Sequence, residues 1–489
     1  MSFRSTLALA AFALPLVAAA PLACSSSEDA PATDGDAGAD AKRKPAPAPE
    51  PEEYDATPVD DGWGRVDAGP TSPLTTIDLG VVSTGTEKTF DLPKGALGFN
   101  VVAIGRGRDL GIKDIKSPSG ELVHKDFTPF NGSHPTTNSL FGGVASAGVP
   151  ASNHPKAMPD LEPGKWSVTF TGDNAKAKVR VQTTPDGQFH GGVLDVRLFI
   201  PDGVKVGGTV VTAATARTEY NVRSRVDAFF DAFERLFGIG RGNVEIFALP
   251  AVYKQAGDAV IEAFTQTAPA GDAQALNIIL TQPTRDQSWW GIAGGIPGAA
   301  TVSGTAQSAV ALATMSYAGA RAEGMVLAHE AGHFLGLNHT TEFGSEAFDP
   351  LEDTPQCERM DELNFRSCPD YKNLMHAASS GALEASPLQV RVVRGSPVYH
   401  AFLSGAPKQI TAPAPAFDAG KELGGIFGHP GVAPDAVESA VLATLCGAPG
   451  HGPVTLARVP RAELEALARR PGVESIVRNA ATKALTRLR

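Results

Sequence analysis

The chain has 489 residues, too many for one core, so two to four domains are expected. Hydrophobic residues make up 42%, enough for packed globular domains. The formal charge of −11 is unevenly placed, since residues 28–68 hold twelve acidic and four basic side chains, a net of −8, leaving about −3 for the remainder. No basic stripe and no aromatic–basic interleaving is present, which argues against nucleic acid as a partner.

In chain order, Arg4 supplies a positive start, and residues 7–20 (LALAAFALPLVAAA) form an apolar run of signal-peptide length. The run is shorter than the ~20 residues a membrane-spanning helix needs. Residues 1–23 are therefore expected to be a signal peptide for export. The following Pro-Leu-Ala-Cys24-Ser-Ser-Ser resembles the cleavage box of bacterial lipoproteins, with Pro21 where Leu is usual. That resemblance implies lipidation of Cys24 and a place at the cell envelope, in the outer membrane, with membrane contact through the lipid alone. Plain secretion after cleavage at an alanine is the alternative. Residues 24–73 are rich in Pro, Ala and acid and have little to bury, so a disordered linker is expected there.

Residues 74–190 carry short β-rich runs split by Gly, Pro and Asp: TTIDLGVV, KTFDL, GFNVVAIG, KWSVTFTG and KAKVRVQTT. The spacing fits an antiparallel, all-β sandwich serving as an accessory domain. His124, His134 and His154 read as surface residues.

From 191 to 402 the pattern becomes mixed α/β (α+β). LDVRLFIP (194–201), NVEIFAL (243–249) and LNIILT (276–281) read as strands. Residues 215–237 place Val222, Val226, Phe229, Phe230 and Phe233 at helical spacing, with Gly238 closing the helix. A Gly-rich segment at 291–315 suits an irregular edge strand, and a second long helix begins near Tyr317. Residues 403–489 contain Ala/Leu/Arg-rich runs and read as a small helical extension, in which His429 and His451, like His400 just before it, look incidental. Of the four cysteines, Cys357 and Cys368 lie eleven residues apart in one loop-like stretch and are the favoured disulfide; other pairings, including Cys446, stay open.

The second helix ends in His329-Glu330-Ala-Gly-His333-Phe-Leu-Gly336-Leu-Asn-His339. Positions 329 and 333 project from one helix face a turn apart, so both imidazoles reach one ion. Glu330 is displaced around the helix, near enough to approach a water on that ion without ligating it. A continuing helix would carry His339 ~15 Å along the axis and about 80° away from His329. The chain must therefore turn back, and Gly336 stands where a helix ends in a left-handed residue. Three neutral histidines leave a fourth tetrahedral position for water, the pattern of a catalytic zinc. With the glycine and third histidine required, chance occurrence falls to on the order of one in tens of thousands.

These residues resemble the metzincin metallopeptidases, in which a Met-turn lies beneath the zinc. Here Asn373-Leu374-Met375 follows His339 in a fitting context. Within metzincins the chain looks most like the pappalysin/cytophagalysin group. The shared features are His-Thr-Thr-Glu from the third ligand, Asp353-Thr-Pro-Gln-Cys357, Cys368, Met375, and Ser386-Pro-Leu-Gln389 opening a last helix. The resemblance spans about 192–400 and implies that Met375 forms a hydrophobic floor under the ligands. One departure is Ala377, where many relatives carry a Tyr two residues after the Met; Tyr371, His376 or Tyr399 could replace it, or the zinc alone could suffice, and the sequence favours none of these.

The sequence thus describes a multidomain protein: an all-β sandwich, a metzincin-like zinc peptidase domain and a helical extension. The expected activity is zinc-dependent endopeptidase hydrolysis of protein or peptide substrates. His329, His333 and His339 hold one zinc, and Glu330 is the general base acting on a metal-activated water. An acidic loop of Glu342, Glu346, Asp349, Glu352 and Asp353 is a candidate calcium site. The competing readings are a zinc-bearing surface adhesin with a silent catalytic layer and a non-peptidase zinc hydrolase.

Overall fold

Strands that alternate apolar and polar residues bury one face only by pairing, and this governs the first part of the chain. The computed structural model describes residue 63 and residues 69–404, apart from 107–109, 126–142, 153–158, 284–289, 316–317, 343–344, 346, 350, 361–364 and 378–383. All described residues fall in one unit that begins at Ala56. The expectations for the signal peptide, Cys24, His134, His154, Glu346, Cys446, His429, His451 and the helical extension lie outside the described residues.

Eight strands come first: β1 (Thr75–Val82), β2 (Glu87–Leu92), β3 (Ala96–Ile104), β4 (Gly111–Lys116), β5 (Leu122–Lys125), β6 (Val144–Val149), β7 (Gly164–Thr171) and β8 (Ala175–Thr183). They form two four-stranded antiparallel sheets, ordered β1-β8-β3-β6 and β2-β7-β4-β5. The inward residues of both sheets share one apolar cluster, in which Phe99 meets Phe90 and Trp166 edge-on at 5.3 and 5.2 Å. Strand β3 departs from alternation, being buried on both faces from Gly98 to Ala103. Its outer face is covered by later parts of the chain: Val102 and Val144 cluster with Ala299 and Val302. Contrary to the surface reading, His124 is buried, with Nε2 against the Ile112 carbonyl at 3.1 Å.

The second part is a six-stranded sheet. Its strands are β9 (Gly192–Pro201), β12 (Ile239–Leu249), β13 (Leu276–Thr281), β14 (Gly291–Ala293), β15 (Ala309–Ala313) and β16 (His400–Ala401); β10 (Val204–Val206) and β11 (Thr209–Val211) form a separate ribbon. The order is β12-β9-β13-β15-β14, with β16 beside β9. The first four are parallel, and β14 lies antiparallel to β15 at the edge. The Gly-rich segment therefore yields an interior strand as well as the expected edge strand.

The expected helix at 215–237 is divided into α1 (Ala213–Ala216) and α2 (Tyr220–Phe237). Thr212 and Thr215 cap each other at α1, and the Glu219 carboxylate accepts from Asn221 N to start α2 afresh. Gly238 closes α2 in the left-handed conformation, as its position suggests. A short helix α3 (Val260–Thr265) precedes β13. Helix α4 (Ala320–Phe334) crosses α2 so closely that a Cβ on Gly324 would stand 2.6 Å from Ala228. A buried ion pair, Arg225 with Glu323, joins the two helices, and Glu323 also accepts from Met315 N at 2.5 Å. The last helix, α5 (Pro387–Gly395), opens on a Ser386–Gln389 capping box.

The folded body takes in part of the expected linker. Trp63 is 3% exposed in the main core, donating from Nε1 to Asp227 at 3.0 Å. Thr71 bridges to Phe402, and Ser72 N donates to Ala401 O at 2.8 Å. Among the described residues no helix is long and apolar enough to cross a membrane.

Candidate metal centre

Every residue of α4 from Ala322 to Phe334 is buried, so its polar side chains must find partners in the interior. His329 and His333 sit one turn apart on that helix. At its end Gly336 N returns to His333 O and Leu337 N to Gly332 O, each at 2.9 Å. Gly336 takes φ 112°, a conformation that disfavours any side chain, and the chain reverses there toward His339. The structure brings the three predicted ligands together.

Their geometry states what they can hold. His329 Nδ1 donates to Leu374 O at 2.7 Å, His333 Nδ1 to Leu337 O at 2.7 Å, and His339 Nδ1 to Glu342 Oε1 at 2.8 Å. Each acceptor requires a proton on Nδ1, which leaves a lone pair on Nε2 of each neutral ring. His339 Nε2 lies 3.1 Å from both His329 Nε2 and His333 Nε2. Three converging lone pairs repel, and a cation at their centre removes that repulsion. A tetrahedral zinc with ~2.0–2.1 Å bonds to nitrogen has edges of about 3.3 Å, close to this spacing. Burial, with His339 beside it, pushes His329 down to about 3, holding it in the neutral form that ligates. The donor set fits zinc.

Glu330 is 8% exposed, and burial raises its carboxyl to about 8. A dication nearby favours the ionised form and opposes that rise. The carboxylate lies against the edge strand β14: a Cβ on Gly291 would stand 2.5 Å from Glu330 Cγ and 2.6 Å from Oε1. A side chain at this position would have to displace Glu330 and Val326.

Met375 is fully buried under α4. A Cβ on Gly332 would come within 2.6 Å of its Sδ, so the helix glycine lets the thioether rise between the turns that carry His329 and His333. Asn373 Oδ1 accepts from Met375 N, and Met375 O accepts from Thr340 N just beyond the third ligand. Sequence reasoning missed Gly332, Gly291 and the Glu342 contact. A glycine inside a helix costs about 1 kcal/mol against alanine, which is a signal that something packs there.

Among the described carboxylates of the acidic loop, Glu342, Asp349 and Asp353 each bond to a separate partner. Glu342 is on His339; Asp349 takes Thr354 Oγ1 and Gln389 Nε2; Asp353 takes Ser386 Oγ at 2.7 Å and Leu388 N at 2.8 Å, fastening the start of α5. Cys357 and Cys368 are joined in a disulfide, so the cluster they form with Asp370 has no thiolate for a metal. Tyr399 is buried in the main core, its hydroxyl donating to Arg394 O at 2.6 Å. Tyr371 and His376 stack edge-on at 5.5 Å.

The model of a family described as metallo-peptidase family M12 matches residues 205–384. That stretch contains the three histidines, Glu330 and Met375, and the match supports a metzincin-type zinc metallopeptidase and zinc-dependent peptide hydrolysis. No curated protein matches the chain. Among solved structures, the Bacillus licheniformis lipase BlEst2 in propeptide form is 18% identical over 24% of each chain, at a TM-score of 0.16. A chaperone–substrate complex is 14% identical over 36% of this chain and 32% of that one, at 0.23. The chain therefore spans a third or less of either structure, and neither likeness bears on the fold.

Proposed function

We propose that residues 191–402 form a zinc-dependent endopeptidase of the metzincin type, nearest in its motifs to the pappalysin/cytophagalysin group. One observation carries the reading: three Nε2 lone pairs, their Nδ1 atoms already committed, converge at 3.1 Å beside a buried carboxylate. His329, His333 and His339 would hold the zinc. When bound, it supplies Lewis acidity to a water and to the scissile carbonyl.

The chain's own residues do the rest. Glu330 accepts a proton on its carboxylate from the attacking water and returns it to the departing amine. Its burial raises proton affinity, which suits a group that must take a proton and hold it briefly. Leu374 O, Leu337 O and Glu342 orient the three rings. The edge strand β14 runs beside Glu330, and an extended peptide can add there as a further strand. Met375 closes the site from below and keeps water out from that side.

Around this centre we read the two N-terminal sheets as a sandwich module. Residues 1–23 serve as an export signal, and Cys24 carries a lipid at the envelope. The lipoprotein-like box at Cys24 and the acidic, Pro-rich segment behind it support that placement.

Changing Glu330 to Gln keeps the shape and removes the base. The variant is expected to retain one zinc per chain and to lose casein cleavage by about 10²–10⁴-fold. Parental turnover by that variant would remove Glu330 from the mechanism. Cleavage by the parent that survives complete zinc removal would end the metallopeptidase reading, and with it the preference over a zinc-bearing adhesin.

A further inference from the structure

We propose that Ser152, which follows β6 of the N-terminal sheets, is a positioning residue for the third metal ligand. This inference rests on the zinc reading above. The turn between His333 and His339 leaves two backbone groups that helix α4 does not satisfy, Gly336 O and Asn338 N. One hydroxyl serves both. Ser152 Oγ donates to Gly336 O at 3.1 Å and accepts from Asn338 N at 2.7 Å; Asn338 Nδ2 adds a third bond at 3.1 Å. A serine hydroxyl offers one donor and two acceptor positions, so its capacity is filled. Ser152 and Asn338 are both buried, and no competing water is needed.

The turn needs help from outside. His329 and His333 are held by a buried helix, whereas His339 is the more exposed ligand and lies on irregular chain. Gly298 N donates to Phe334 O at 3.0 Å where the helix ends, and the turn's own neighbours make Gly336 N to His333 O, Leu337 N to Gly332 O, and His333 Nδ1 to Leu337 O. Ser152 completes the set from 184 residues away in sequence.

The wall that carries Ser152 is firmly seated. The α carbon of Gly98 on β3 lies so near α5 that a Cβ there would stand 2.1 Å from Gly395 O. Ser146 Oγ donates to Gly298 O at 2.7 Å, Arg180 Nε to Thr301 Oγ1 at 2.8 Å, and Gln182 Nε2 to Tyr399 O at 2.9 Å. The N-terminal sheets thus act as an internal jig for the metal site, and the α/β part alone would bind zinc poorly.

The test uses the full-length chain with Ser152→Ala and, as a control at the same interface, Ser146→Ala. Zinc affinity is read by chelator competition, ligand geometry by the visible spectrum of the cobalt-substituted protein, and folding by thermal melting. Ser152→Ala is expected to weaken zinc about tenfold or more and to alter the cobalt bands. Ser146→Ala is expected to keep parental affinity and spectrum whatever its melting point. Parental zinc affinity and spectrum in Ser152→Ala would overturn the proposal, as would an equal loss in both variants, which would mean general docking. A parent chain that binds no zinc would sink the underlying metallopeptidase reading instead. If Ser152→Ala does not fold, Asn338→Ala removes only the 3.1 Å bond to the same hydroxyl; a drop of about threefold supports the clamp and no drop overturns it.

Discussion

The N-terminal sheets and the α/β part bury their polar groups for different reasons. Between the N-terminal sheets the core is apolar, filled by Trp166, Phe99, Phe90 and Phe170. Their buried Asn100, Ser146, Ser152, Arg180 and Gln182 belong to the face turned toward the α/β part, where they bond to Gly298, Gly336, Thr301 and Tyr399 directly or through Ser146. The α/β part instead carries polar groups inside its own core: Arg225 with Glu323, His329, His333, Glu330 and Asp349. Apolar burial supplies stability without choosing a geometry, whereas a buried polar group tolerates only the arrangement that satisfies it. Changes in the apolar core between the sheets should therefore move stability and leave metal affinity alone, and changes to the polar groups of the site should move metal binding or turnover.

The largest expected effect is the loss of turnover in Glu330→Gln, about 10²–10⁴-fold with zinc retained and the melting point little changed. Next is Trp166→Ala in the apolar core. It should cost about 3–5 kcal/mol in urea unfolding, while the fraction that stays folded binds zinc as the parent does. A large drop in zinc affinity there would break the comparison. Gly332→Ala follows. Alanine gains about 1 kcal/mol of helix propensity, but its Cβ is forced against Met375 Sδ, and overpacking at about 1–3 kcal/mol wins. A melt that rises instead would show that the thioether is free to move away.

The smallest effect at mildly acid pH concerns Asp349, whose carboxyl burial lifts to about 8. The ordinary value is about 3.9, so between pH 4 and 8 the folded chain keeps a proton the unfolded chain has lost. Stability contributed by that proton is full below pH 4, falls as pH rises toward 8, and is level beyond. Asp349→Asn should flatten this decline when melting is followed from pH 5 to 9. An unchanged slope would place the titration elsewhere.

Much of the centre could be read from the chain because it depends on local rules. Four-residue spacing puts His329 and His333 on one face, and Gly336 marks the reversal that returns His339. Strand LNIILT occupies the predicted residues 276–281. What escaped depends on contacts between distant segments. The Nδ1 partner of His329 comes from Leu374, the seat for Met375 from the missing side chain of Gly332, and the second covered face of β3 from residues around 299 and 302. The run FNVVA in β3, apolar but for Asn100, was a readable sign of burial on both faces. Trp63 carried no such sign: a lone tryptophan in an acidic, Pro-rich stretch looks like spacer until Asp227 and Arg223 are seen around it. The start of α2 moved because Glu219 caps it, a choice that helical periodicity does not register.

The clasp between residues 70–72 and 401–403 makes the described body a closed ring. Ser72 N to Ala401 O, Leu403 N to Pro70 O and Phe402 N to Gly191 O stitch the incoming and outgoing chain to the same sheet margin. Tension applied between residues 69 and 404 would load these bonds, and β16 against β9, before it reached any core strand. A short bridge from 404 back to 69 should therefore be accepted, allowing new termini to be opened at a distant surface turn without unseating the histidines.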